Sequence, residues 1–330
     1  MTTHDRPTRV AIVGVGNVGA SVAFSLLHSG LAAEIVLLDA NRERAEGEAM
    51  DLAHAAPFAK PTRIWAGEPA DLAGAAITVI AAGAAQRPGE TRLELLGRNA
   101  RIFAEIVPTV AEQNPDGIVI VATNPVDVLA YQTWKRSGLP AQRVIGSGTI
   151  LDTARFRALL SEHFGVDPRS IHAFIIGEHG DSEVPVWSSA NIAGMRLVDY
   201  CAAHGIEYDQ AAMDAIFERT RDAAYHIIER KGATYYAVAA GIVRLIEAIL
   251  RDQRTVLSVS TLVADYYGLD DVYLSLPAIV GRAGVERFLR LDLAPAEVSA
   301  LRRSAQVLQA TRAQLERVVE AAAADEPGQG

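Results

Sequence analysis

Among 330 residues there is a single cysteine, Cys201. One thiol forms no intrachain disulfide and cannot build a zinc site alone. No apolar run approaches the ~20 residues that a membrane-spanning helix needs. The stretch from Met1 to Arg9 is polar and has no apolar core of a secretory signal. A soluble, reduced, cytoplasmic protein is therefore expected, with no membrane partner. Basic residues are in the minority. Lys and Arg total 31 against 40 Asp and Glu, a formal net charge of −9. That balance argues against a nucleic-acid partner, which would require a basic face. Internal repeats and flexible linkers are also missing. Half of the residues are hydrophobic and 22% are charged. That is ample for a large core, and the length suggests about two lobes.

The first half alternates between short apolar runs and helical stretches. Val10 to Val13, Glu34 to Leu38, Thr62 to Ala66, Ile77 to Ala81 and Ile118 to Val121 read as strands. Helices are expected over Asn17 to Ser29, stopped by Gly30, and over Arg42 to Ala56, ended by Pro57. Strands that are apolar throughout, separated by helices, indicate a parallel sheet covered on both faces. Right-handed crossovers then bring every carboxyl end to one edge, where ligands of such sheets bind. The second half is different. Helices are expected over Thr153 to Phe164, Tyr208 to Arg230, Thr234 to Leu250 and Pro295 to Val319. Strands are expected at Ser170 to Ile176, Pro185 to Ser189, Thr255 to Val259 and Val272 to Ala278. A boundary near Gly146 divides the chain into 1–146 and 147–330.

Gly14-Val15-Gly16-Asn17-Val18-Gly19 follows the first strand and opens the first helix. In that context GxGxxG is a dinucleotide signature. The first glycine makes the tight turn, the second admits a pyrophosphate, and the third lets helix pack on strand. The helix N-terminus then faces the anion. Asp39 lies 20 residues beyond Gly19, at the tip of the second strand. Its carboxylate can accept both ribose hydroxyls and would repel a 2′-phosphate, so NAD is favoured over NADP. A helix cap is the plainer role for Asp39. FAD folds share the fingerprint, so this site does not name a reaction.

His179 lies in Ile176-Gly177-Glu178-His179-Gly180-Asp181, a polar cluster after an apolar run. Flanking glycines leave its ring accessible, and histidine exchanges protons near neutral pH. Four other segments carry unusual polar groups: residues 82–92, the end of the fifth strand at 123–127, the helix opening at 148–157, and Lys231 to Tyr236. The motifs GVGNVG, AGAAQRPGETRLELLGRN, VATNPVDVLA, GSGTILDTARFR, IGEHGD and KGATYY together resemble the lactate/malate dehydrogenase family, in particular its bacterial L-lactate branch. The resemblance runs from about Arg9 to Leu308.

That resemblance implies a Rossmann-type doubly wound parallel sheet in residues 1–146, binding NAD, and a C-terminal α+β substrate domain in 147–330. It implies reversible hydride transfer between NADH and a 2-oxo acid, pyruvate giving L-lactate. His179 would be the general acid in reduction and the base in oxidation. Asp152 would accept a hydrogen bond from the other ring nitrogen and stabilise the imidazolium. A helix N-cap is its alternative. Arg155, three residues on and on the same helix face, would hold the substrate carboxylate with a bidentate fork. Arg92, on a lid rich in glycine, proline and charge, would polarise the carbonyl as the lid closes. Asn124 would bond substrate or nicotinamide ribose. Gly83, Ser147 and Val238 match cofactor-lining positions.

In this family an arginine on the lid pairs with the second carboxylate of malate. Gln86 stands there instead, and Thr234 also matches the lactate branch. Arg87, one position away, is expected to face solvent. Arg157 points about 200° round the helix from Arg155. It and His172 match positions that bind fructose 1,6-bisphosphate at a subunit interface, and a homotetramer is implied in the same way. A structural ion pair is the plainer reading of these two basic groups. The alternatives are a malate or other 2-hydroxy-acid dehydrogenase, and a non-catalytic NAD-binding protein.

Overall fold

A computed structural model describes residues 7–84 and 90–324. Its first half contains β1 (Arg9–Val13), α1 (Asn17–Ser29), β2 (Glu34–Leu38), α2 (Arg42–Ala55), β3 (Arg63–Ala66), β4 (Ile77–Ile80), α3 (Arg92–Gln113), β5 (Ile118–Val121), α4 (Val126–Ser137) and β6 (Val144–Gly146). There follow α5 (Ile150–Phe164), β7 (Ile171–His172), β8 (Ile175–Ile176), β9 (Val184–Pro185), β10 (Asn191–Ile192), β11 (Met195–Arg196), α6 (Leu197–Ala203), α7 (Gln210–Lys231), α8 (Tyr236–Leu250), β12 (Thr255–Val263), β13 (Val272–Gly281), β14 (Gly284–Phe288) and α9 (Pro295–Ala324).

Six strands run parallel in the order β3-β2-β1-β4-β5-β6. This is the order of a dinucleotide fold, and its switch point lies between β1 and β4. Alternate side chains of each strand enter opposite cores. Val10, Ile12, Ile35 and Leu37 pack with Leu26 and Leu27 of α1 and Ile242 to Ile249 of α8. Ala11, Val13 and Val36 face the other core, with Phe103 of α3, Leu129 of α4 and Leu301 of α9. A third cluster joins Phe156 and Leu160 of α5 to Ile171, Ile175, Met213 and Ile216.

The sheet does not stop at Gly146. A single antiparallel pairing, Gly146 with Ser260, attaches β12, and β13 and β14 extend the sheet to nine strands. Sequence reading expects strands here but not their place in the sheet, and it misses β14 and β6. The expected strand over Ser170 to Ile176 is two short strands, β7 and β8, in different sheets. Helix α5 starts at Ile150, not Thr153, with Thr149 as its N-cap residue. Among the described residues no helix is long and apolar enough to cross a membrane.

Candidate active site

The carboxyl ends of β1, β2, β4 and β5 gather the motifs of the first half. Gly14 has φ +94°, and a Cβ there would meet the Ala82 backbone N at 2.3 Å. A Cβ on Gly19 would lie 1.9 Å from the Gly14 oxygen, so helix and strand touch only because both positions are glycine. Gly16 is the exception. A Cβ on it would meet nothing within 4 Å. Gly16 is also the N-cap of α1 and supplies no side-chain cap. Orphan N–H groups of the first turn, beside Asn17 and Val18, therefore face an open cradle suited to a pyrophosphate.

Asp39 closes this cradle from β2. Its Oδ2 accepts from Val15 N at 2.8 Å and its Oδ1 from Asn41 N at 2.9 Å. Each oxygen keeps a lone pair for a ribose hydroxyl. The cap of α2 is Asn41, whose side chain accepts from Arg44 N, so Asp39 is free of that duty. Beyond β4, Gly83 packs on Thr123, where a Cβ would stand 2.6 Å from Cγ2. Beyond β5, Asn124 is exposed, and Ser147 N bonds the Val121 oxygen at 2.9 Å. Buried Asn99 of α3, to which sequence reading assigns no role, ties these loops together. It accepts from Ala84 N at 2.8 Å and donates to the Asn124 oxygen at 3.0 Å. The residues fit a dinucleotide.

The loop bearing His179 is pinned from five directions. Gly177 exchanges two backbone hydrogen bonds with Ser275 of β13, each 2.8 Å. Its φ is +90°, and a Cβ would stand 2.6 Å from Ser304 Oγ. Ser304 of α9 accepts from Glu178 N at 2.8 Å. Asp127 of α4 accepts from His179 N at 2.8 Å. Tyr225 of α7 donates to Asp181 at 2.6 Å. Asp152 of α5 takes the ring itself, with Oδ2 lying 2.6 Å from His179 Nδ1. The Asp152 side chain is 4% exposed and the His179 side chain 23%, so the ring presents its other nitrogen to the site.

Arg155 donates from Nη1 to Asp152 Oδ1 at 3.0 Å. The carboxylate thus binds the ring with one oxygen and the arginine with the other. Burial works against the Asp152 carboxylate, yet the His179 ring and Arg155 outweigh it and hold its pKa below the usual range. Burial likewise disfavours the imidazolium. The Asp152 charge and hydrogen bond, with help from Asp127 and Glu183, overcome this and raise His179 to about 9. As N3 of α5, Asp152 is not the helix cap; Thr149 holds that place.

Sequence reading misses one further buried acid. Glu183 is 6% exposed, and its Oε1 has no hydrogen-bond partner. Burial, then the nearby Asp152 charge, raises its pKa strongly, which favours the neutral acid.

Arg157 turns away from Arg155. Its Nε donates to the Ala173 oxygen at 2.9 Å, and its guanidinium lies 5.2 Å from the Phe174 ring centroid. Neighbouring His172 is exposed on β7. Thr234 is half-buried between α7 and α8, and Val238 of α8 and Ile150 at the start of α5 pack against the same core. Gln86 and the Arg92 side chain lie outside the described residues. The backbone of Arg92 opens α3 behind the capping box of Thr91 and Glu94. Among the described residues no cluster of three or more His, Cys, Asp or Glu is disposed to hold a metal ion.

Two family profiles match the chain. The lactate/malate dehydrogenase NAD binding domain covers residues 8–146, and the alpha/beta C-terminal domain of the same family covers 149–319. The chain belongs to the lactate/malate dehydrogenase family. It is an NAD-dependent dehydrogenase. It is 54% identical over 304 residues to the L-lactate dehydrogenase of Priestia megaterium, covering 92% of this chain and 95% of that one. It is 52% identical over 310 residues to that of Moorella thermoacetica, covering 94% and 98%. Among solved structures, a ligand-bound minor L-lactate dehydrogenase from Enterococcus mundtii superposes with TM-score 0.90 at 40% identity, covering 94% of this dehydrogenase and 98% of that chain. A lactate dehydrogenase from a deep-sea metagenome library gives TM-score 0.91 at 42% identity, covering 94% and 99%.

Proposed function

We propose that the chain is an L-lactate dehydrogenase that interconverts pyruvate and L-lactate, with His179 as the general acid and base. The observation that carries this reading is the Asp152 carboxylate shared between the His179 ring and Arg155. One buried acid sets the tautomer of the proton carrier and the position of the substrate anchor together. NADH, when bound, supplies the hydride. The protein does the rest. Arg155 uses one N–H on Asp152 and has others left for a substrate carboxylate. The exposed ring nitrogen of His179 delivers a proton to the oxygen on which charge develops. Arg92 stabilises that charge when the lid closes and expels water. Asn124 and Thr234 complete the substrate wall. In this reading residues 1–146 hold the cofactor, through Gly14 to Gly19, Asp39, Gly83, Asn124 and Ser147, and residues 147–330 carry the chemistry. The enzyme is cytoplasmic and homotetrameric.

Gln86 chooses the substrate. Against a neutral amide the second carboxylate of oxaloacetate would be buried unpaired, at a cost of about 3–5 kcal/mol. Pyruvate is therefore expected to exceed oxaloacetate in kcat/KM by roughly 10²-fold or more. Steady-state NADH oxidation with a panel of 2-oxo acids tests this, and a higher value for oxaloacetate refutes it. Gln86→Arg is expected to move the preference toward oxaloacetate, measured as the ratio of the two kcat/KM values.

Arg157 and His172 support activation by fructose 1,6-bisphosphate, with paired basic groups meeting across a symmetry axis. The sugar bisphosphate is expected to lower the half-saturating pyruvate concentration, and Arg157→Gln with His172→Gln to abolish that response. An unchanged half-saturation in the parent enzyme refutes regulation.

A further inference from the structure

Asp127 is buried (2% exposed) in the first turn of α4, two residues after Pro125. One carboxylate oxygen accepts the main-chain N–H of His179 at 2.8 Å across 52 residues of sequence. The other, Oδ1, is buried and makes no hydrogen bond. The Ser260 hydroxyl of β12 lies beside the acid, near enough to lower its pKa. An asparagine would keep the hydrogen bond to His179 N and could pair with Ser260 Oγ without burying a charge. The aspartate accepts from His179 N and places a buried carboxylate beside the proton carrier.

We propose that Asp127 is a positioning residue for proton transfer, clamping the backbone of His179 as Asp152 clamps its ring. This rests on His179 being the acid and base. The loop's other contacts fall on Gly177, Glu178 and Asp181. Asp127 holds the main chain of His179 itself, so that with Asp152 on the ring the free nitrogen stays aimed at the substrate oxygen. The charge acts through His179 as well. The charged groups acting on the histidine are Asp152 from α5, Asp127 from α4 and Glu183 from its own loop; Arg155 acts on Asp152 and Glu183, and Glu178 on Asp127. Burial raises Asp127 to about 6. Above that pH its charge is present and favours the imidazolium.

The test compares Asp127→Asn, Asp127→Ala and His179→Asn in one assay of kcat and KM for pyruvate against pH, with Tm recorded. Asp127→Ala loses both clamp and charge, and kcat is expected to fall roughly 10²-fold with KM little changed, because Arg155 still anchors the substrate. Asp127→Asn keeps the clamp and loses only the charge. It is expected to lose less kcat than the alanine variant and to move the alkaline limb of kcat/KM to lower pH, with Tm retained or raised. A parental alkaline limb in Asp127→Asn overturns the proposal even if the alanine variant fails to fold. So does a parental kcat in a folded Asp127→Ala of lower Tm. Full turnover in His179→Asn would instead overturn the underlying reading, whatever Asp127 does.

Discussion

Replacing His179 with asparagine is expected to lower kcat for pyruvate reduction roughly 10²–10⁴-fold. Asparagine can still hydrogen-bond Asp152, so the loop and its buried carboxylate keep a partner. It has no proton to give at accessible pH. The alkoxide that forms as hydride arrives would be left without its proton donor. NADH affinity is expected to stay close to the parent's. The dinucleotide cradle stands on the β1–α1 loop and Asp39, whose hydrogen bonds do not involve the His179 loop. Steady-state kinetics and fluorescence titration of NADH separate the two effects. A loss confined to cofactor binding would show that His179 holds the nucleotide and does not move the proton.

Asp152→Asn is expected to be nearly as damaging, and in a pH-dependent way. The Asp152 charge and hydrogen bond are the largest contributions that raise the His179 pKa. Without them burial dominates, and the imidazolium becomes the disfavoured form. The acid required for pyruvate reduction is then populated only at lower pH. The deficit in kcat/KM should be larger at pH 8 than at pH 6. Arg155 also loses its charged partner and becomes less firmly oriented, so KM for pyruvate should rise as kcat falls. A deficit independent of pH would mean that Asp152 supports the fold and does not tune the histidine. The comparison with His179→Asn is informative because the two residues act as a unit. The double variant should be little worse than either single one.

The parts of this site that were legible in sequence are those written in local spacing. Gly14, Gly16 and Gly19 are separated as a strand-to-helix turn requires, and Asp39 falls at the end of the next strand. Asp152 and Arg155 are three apart, so one helix face carries both. The structure adds what spacing cannot express. Asp127 in a first helical turn looks like an ordinary acid at a helix N-terminus, where the dipole favours it. Its bond to His179 spans 52 residues and depends on how α4 packs under the β8 loop. Glu183 follows the IGEHGD motif and would pass for a solvated loop acid; only packing shows that it is buried. Asn99 ends the long motif after β4, yet its role depends on the β4 and β5 loops lying side by side. The strands beyond Gly146 were harder still. Their apolar runs mark β12 and β13 as strands, but joining them to β6 rests on one pairing, Gly146 with Ser260. Helix α5 starts earlier than the spacing suggests: Thr149 stands at the N-cap position with its hydroxyl donating to the Ile175 oxygen, while Asp152 reads as a more conventional capping residue.

One histidine serving both directions makes a demanding prediction, because the protonation state that drives one direction disables the other. The decisive measurement is kcat/KM against pH for pyruvate reduction and for L-lactate oxidation on the same enzyme preparation. Asp152 and its neighbours raise His179 to about 9, well above the usual histidine value of about 6.5. Pyruvate reduction should therefore fall as pH rises through the alkaline range, while lactate oxidation rises, the two curves crossing a shared inflection as mirror images. Profiles with unrelated inflections, or a pyruvate curve flat across that range, would contradict His179 as the common acid and base.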